Sequence, residues 1–117
     1  DEFYPARYGW AVGVGASTPD GLTRSSYSNF GDNVDVWATG DDHVNAFVRG
    51  SYRMLDGSQT PFPGGLAKWS GTSFATPLVA GMVARRVIEY GETPPVALSA
   101  VLAGAPHAID GKPALII

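Results

Sequence analysis

Apolar positions along the chain follow two regimes, one in the first two-thirds and another after it. Residues 10–16 read Trp-Ala-Val-Gly-Val-Gly-Ala, a short run of small and β-branched residues. Such a run predicts a strand buried on both faces. Residues 34–38, Val-Asp-Val-Trp-Ala, alternate and predict a second strand. Between them, residues 17–24 predict a turn built on Pro19-Asp20-Gly21, and the polar stretch 25–33 is expected to be irregular. Gly40-Asp41-Asp42 should break the second strand. Residues 46–48 and 52–55 predict a hairpin around Arg49-Gly50-Ser51, followed by a loop over 56–65 that is rich in Gly and Pro.

From residue 75 the spacing becomes helical. Ala75, Leu78, Val79, Ala80, Met82, Val83, Ala84, Val87 and Ile88 make a helix that is apolar nearly all round, which predicts a place inside the protein. Pro77 falls near its start, where proline costs least. Arg85 and Arg86 lie toward its C-terminal end, where cations suit the helix dipole. Gly91 is placed for a left-handed cap. A second helix is predicted over 94–103, with Thr93 as cap, Pro94 at the first position and Gly104 at the end. Residues 114–117, Ala-Leu-Ile-Ile, predict a final strand or a packed terminus. There is no internal repeat and no linker, so residues 1–117 read as one unit.

Composition narrows the function classes. A 117-residue chain with 44% hydrophobic and 16% charged residues is globular in character. A formal net charge of −3 supplies no basic footprint, which argues against a nucleic-acid partner. No apolar run is long enough to cross a bilayer. The absence of cysteine excludes disulfides, a thiol nucleophile and cysteine-held zinc or iron–sulfur sites. The opening Asp1-Glu2-Phe3-Tyr4 has no initiator Met and no leader, and the chain is expected to begin within a longer protein.

The candidate chemistry sits in Gly71-Thr72-Ser73-Phe74-Ala75-Thr76-Pro77. Ser73 lies among small residues where the apolar helix should begin. A serine there has an exposed hydroxyl and a backbone N–H among the unpaired donors of a helix N-terminus. Acyl transfer by a serine nucleophile needs both. Gly71 and Ala75 leave the approach open, and Thr72 adds a hydroxyl nearby. The everyday alternative is that Thr72 or Ser73 simply caps the helix. A serine nucleophile also needs a base and an acid that orients it. The two histidines offer little: His43 follows Asp41-Asp42 in a predicted loop and is expected to be solvated, and His107 stands near the C-terminus beside no nucleophile. Asp20 and Asp56 each precede Gly and read as turn residues.

The seven-residue string resembles the active-serine motif of the subtilisin-like serine proteases, the subtilase (peptidase S8) family, Gly-Thr-Ser-x-Ala-x-Pro, at every fixed position. Val79-Ala80-Gly81 matches its continuation. Tyr4-Pro5-Ala6-Arg7-Tyr8 with Val12-Gly13-Val14-Gly15-Ala16 is similar to the stretch ending in a Val-Gly-Ala strand. Tyr27-Ser28-Asn29-Phe30-Gly31 with Val34-Asp35-Val36-Trp37-Ala38 is similar to the Phe-Ser-x-x-Gly…Asp-Val-x-Ala-Pro-Gly block. The likeness covers nearly the whole chain. Thr39 replaces the usual proline, Phe74 a common methionine and Leu78 a frequent histidine. The stretch 47–68 is longer than in the simplest members and reads as a surface insertion near the active serine.

The resemblance implies an α/β fold, a mostly parallel sheet flanked by helices in three layers, of which residues 1–117 would be the C-terminal portion. It implies a serine endopeptidase acting through an acyl-enzyme on Ser73, with Ser73 and Thr72 supporting the oxyanion. The family order places the catalytic Asp, the His and an oxyanion Asn upstream of Tyr4, so this chain alone is expected to be inactive. The implied partners are a peptide or protein substrate and the remainder of the catalytic domain. The implied location is extracellular or cell envelope. No organic cofactor is implied; a weak calcium or sodium site would draw on carbonyls of residues 6–11 and on Asp35, although a carboxylate bonded to nearby backbone is the plainer role for Asp35. Tyr4 to Tyr8 would border the primary specificity pocket. Two alternatives stay open: an α/β-hydrolase elbow, which needs a buried strand leading into the serine where residues 64–70 offer none that convinces, and a pseudoprotease that uses the fold for binding.

Overall fold

Residues 3–116 are described by a computed structural model; Asp1, Glu2 and Ile117, the last residue of the expected C-terminal strand, lie outside them. The elements in chain order are β1 (Val14–Ser17), β2 (Val36–Thr39), β3 (His43–Ala46), β4 (Gly50–Arg53), β5 (Gln59–Phe62), β6 (Leu66–Trp69), α1 (Thr72–Tyr90), α2 (Pro94–Ala103), β7 (His107–Ile109) and β8 (Lys112–Leu115).

The two strands expected early in the chain form the base of the main sheet, whose order is β1-β2-β8-β7. β1 and β2 run parallel, with Val14 opposite Val36 and Ser17 opposite Thr39. β8 joins β2 in parallel, and β7 folds back on β8 in antiparallel. Alternation divides the buried residues between two faces. Ala16, Val36, Ala38 and Leu115 meet Ala75 and Val79 of α1 and Val101 of α2 on one face. Val34, Trp37, Ile109 and Ala114 pack on the other, where the Trp37 indole N–H donates to the Ile109 carbonyl at 2.9 Å. Both described helices therefore cover the same face of a mostly parallel sheet.

Several boundaries differ from the expectation. β1 is only the second half of the run 10–16. Trp10 is 79% exposed and stacks on Tyr8 instead, because nothing among the described residues covers it. The expected hairpin around Arg49-Gly50-Ser51 does not form: β3 pairs with β6, and β4 pairs with β5, which lies inside the stretch expected to be loop. Pro61 sits in β5, an edge of a two-stranded ladder, where a missing N–H is tolerated. Together the ladders make an arm over residues 43–69, wider than the insertion expected over 47–68, in which Phe47 gathers Tyr52, Phe62 and Trp69 around it.

α1 ends at Gly91, which has φ 65° and donates to the Val87 carbonyl. It is less enclosed than its composition implies. Only Ala75 and Val79 are buried, and Ile88 is 81% exposed. Arg85 and Arg86 stand above the last turn, which contains no basic residue, and pair with Glu89 and Glu92. α2 has the expected bounds, but Thr93 makes no side-chain capping bond.

Candidate active site

The end of β2 and the start of α1 meet. Gly71 N–H donates to the Gly40 carbonyl at 2.8 Å, so the turn entering α1 is bonded to the residue that follows β2. In open α/β sheets this C-terminal end of parallel strands is where ligands bind. The approach is close because Gly40 has no side chain. A Cβ there would fall 2.5 Å from the Ala16 Cβ and 3.1 Å from both the Gly71 carbonyl oxygen and the Tyr27 phenol oxygen.

Ser73 is the second residue of α1 and is exposed. The N-cap is Gly71, which has no side chain, so neither Thr72 nor Ser73 serves as the cap. The Gly71 carbonyl takes the Phe74 and Ala75 N–H groups at 3.0 and 3.4 Å. The Thr72 and Ser73 N–H groups have no backbone acceptor among the described residues. Pro77, four residues after Ser73, has no N–H to return to the Ser73 carbonyl. Thr72 uses its carbonyl to accept the Thr76 hydroxyl at 2.9 Å. Among the described residues, then, a hydroxyl without a hydrogen-bond partner stands beside N–H donors without backbone acceptors, at the positive end of a 19-residue helix. That arrangement can present a nucleophile and stabilise an adjacent negative charge.

His43 is not in a loop. It opens β3, half-buried, with Nε2 2.9 Å from the Thr39 carbonyl and its ring stacked on Phe74, the neighbour of Ser73, at a centroid distance of 6.0 Å. The carbonyl beside Nε2 makes that nitrogen the donor. His107 lies in β7, at the far edge of the sheet from β1 and next to the turn at Gly21. Neither histidine is hydrogen-bonded to Ser73. Asp20 and Asp56 accept backbone N–H groups of their own turns, from Leu22 and Ser58. Asp35 Oδ2 accepts the Gly13 N–H at 2.8 Å, a carboxylate bonded to backbone.

The residues 64–70 contain one strand, β6, but not a buried one, in line with the expectation. It is antiparallel and largely exposed, unlike the buried parallel strand that a hydrolase elbow requires. The neighbours that sequence reasoning missed are Tyr27 and Asp41. The Tyr27 hydroxyl donates to Asp41 Oδ1, and Ser25 Oγ donates to Oδ2 at 3.0 Å. Desolvation of the hydroxyl, then its bond to the carboxylate, push the Tyr27 phenol above its ordinary value. In the sequence Gly40-Asp41 marks only a strand break, and nothing local links Asp41 to Tyr27.

Comparison with known proteins places the chain in a family. The model of the subtilase family matches residues 2–106. The chain is 35% identical over 100 residues to alkaline serine exoprotease A of Vibrio alginolyticus, covering 86% of this chain and 16% of that protein. It is 32% identical over 108 residues to an extracellular protease of Xanthomonas campestris pv. campestris, covering 92% and 17%. Among solved structures it is similar to a cold adapted subtilisin-like serine proteinase, with a TM-score of 0.63 and 31% identity over 97% of this chain and 38% of that one. A protease from Pseudoalteromonas arctica gives a TM-score of 0.65 at 29% identity. The chain therefore spans about a sixth of the length of those two sequence relatives.

Proposed function

This chain belongs to the subtilase family, and we propose that it carries the nucleophile of a subtilisin-type serine endopeptidase. The carrying observation is Ser73 itself: an exposed hydroxyl, not used as a cap, beside N–H groups without backbone acceptors among the described residues. In the intact protein a histidine takes the Ser73 proton as Oγ attacks the scissile carbonyl. The Ser73 N–H, helped by Thr72, holds the oxyanion. The tetrahedral intermediate collapses to an ester on Oγ, and the leaving amine receives the proton. Water, deprotonated by the same base, then attacks the ester and frees Ser73.

The histidine, the Asp that orients it and an oxyanion Asn come, on this reading, from polypeptide outside residues 1–117. Two features support such a complement. β1 has one partner, β2, among the described residues, which leaves its other edge open. Beside it, a groove of about 700 Å³ is lined by Val12, Val14, Val79, Val83, Val87 and Leu98. The chain alone is accordingly inactive, since triad members act as a unit. The substrate is protein or peptide, and the location is extracellular or cell envelope, in keeping with relatives named as extracellular and cuticle-degrading proteases.

A serine-directed fluorophosphonate applied to the intact protein tests the reading. Labelling should occur at Ser73, vanish in Ser73→Ala, and be matched by a fall in peptide hydrolysis of several orders of magnitude. An intact protein that resists the reagent and cleaves nothing would instead be a binding module.

A further inference from the structure

Residues 40–42 leave β2 and lie against the turn that delivers Ser73. Three contacts join residues 40–43 to residues 70–74. Gly71 N–H donates to the Gly40 carbonyl at 2.8 Å. Asp42 N–H donates to Ser70 Oγ at 2.9 Å. The His43 ring stacks on Phe74 within 13° of parallel. The loop has no regular structure of its own, and Asp42 takes a left-handed φ of 61°.

Asp41 ties the loop to the rest of the fold, alongside the Gly40 N–H bond to the Ser17 carbonyl at 3.1 Å and the Asp42–Lys68 ion pair at 3.4 Å. Both its oxygens are engaged, Oδ1 by the Tyr27 hydroxyl and Oδ2 by Ser25 Oγ. Those two donors belong to a segment that is itself anchored to β1. Ser25 N–H donates to the Ala16 carbonyl at 2.9 Å, and Ser28 Oγ accepts the Ala16 N–H at 2.8 Å. A continuous path of hydrogen bonds therefore runs from β1 through residues 25–28 to Asp41, and from Gly40 and Asp42 to residues 70–71. The Tyr27 oxygen and the Gly71 carbonyl converge on the same vacant position above Gly40.

We propose that Tyr27 and Asp41 are a positioning pair for Ser73: the phenol–carboxylate bond seats loop 40–42, which holds turn 70–74 and thereby the direction of the Ser73 hydroxyl and N–H. The inference rests on the reading of Ser73 as nucleophile and deepens it. Neither residue touches the reacting atoms. Their leverage comes from the sensitivity of attack geometry, since a displacement of about 1 Å costs a factor of about 100 in rate. Tyr27 is 47% exposed, so Tyr27→Phe deletes one oxygen without emptying any core position.

The test uses the intact protein and five variants: Tyr27→Phe, Asp41→Ala, Asp41→Asn, the double Tyr27→Phe/Asp41→Ala, and Ser73→Ala. Measured for each are kcat and KM on a peptide substrate, the rate of fluorophosphonate labelling, and Tm. Tyr27→Phe and Asp41→Ala should each lower kcat and labelling about tenfold while KM stays within about twofold. The double variant should be no worse than Asp41→Ala alone, because both changes break one path. Asp41→Asn keeps an oxygen that can accept the phenol and should recover most of the rate. Unimpaired kcat and labelling in Tyr27→Phe and Asp41→Ala would overturn the proposal. So would losses that track Tm across the series, with Asn no better than Ala at position 41. Ser73→Ala separates the two levels: if it still reacts, the reading of Ser73 fails; if it is silent while Tyr27→Phe is unimpaired, only the pair fails.

Discussion

Gly40 shows how much a single missing side chain permits. Its carbonyl bonds the turn before Ser73, and the space where a Cβ would stand is bordered by Ala16, Gly71 and Tyr27. The Ala16 methyl is fully buried in the core cluster and has no room to retreat. Gly40→Ala should therefore destabilise the intact protein by about 1–3 kcal/mol through overpacking and slow labelling of Ser73. Chemical denaturation and the labelling rate measure the two effects; a variant matching the parent in both would show that the approach is looser than the distances imply. At this scale the candidate nucleophile was legible in the sequence, because small residues before a helix start are a local pattern. Tyr27 and Asp41 were not, because their bond joins residues 14 apart through a loop with no periodic signal.

Between elements, the junction of α1 with α2 is held by Arg86 and Glu92, whose side chains are 32% and 20% exposed. The guanidinium hydrogen bond holds the Glu92 carboxyl below the usual carboxylate range, against an opposing effect of desolvation. A lowered native pKa means that the unfolded chain binds this proton more readily. The stabilisation from the pair is then complete above the unfolded carboxylate pKa and is lost as pH falls through the lowered native one. Glu92→Gln should lower Tm at neutral pH, and the gap from the parent should close as pH falls below the ordinary glutamate value of about 4.3. Thermal unfolding of both proteins across that range provides the check, and a gap that stays constant with pH would mean the carboxylate charge contributes nothing there. The helices themselves were readable from spacing and caps. The pairing within the arm is not legible in the sequence, because β3 to β6 are short, largely exposed strands whose partners are decided across the arm and not within each segment.

For the molecule as a whole, the apolar groove on α1 and the open edge of β1 lie side by side. Ile88, Val96 and Val12 are more than one-third exposed, an unusual use of such residues in a settled monomer. Residues 1–117 expressed alone should bind a hydrophobic dye strongly and unfold without a sharp cooperative transition. The intact protein should do neither. A dye-silent isolated chain with a steep melting curve would show that this surface needs no cover.

Local chemistry was enough to announce the strands β1 and β2, both helices and their glycine ends, and the serine at a helix start, because each is written in neighbouring residues. The resemblance in motif order extended that to the family. Folding alone decided the rest: that Gly71, not a hydroxyl residue, caps α1, that a helix apolar nearly all round keeps an open face, and that Asp41 bridges Tyr27 and Ser25 beside Ser73. Such contacts depend on which distant backbone segments approach within a few ångströms, and short-range periodicity carries no record of that approach.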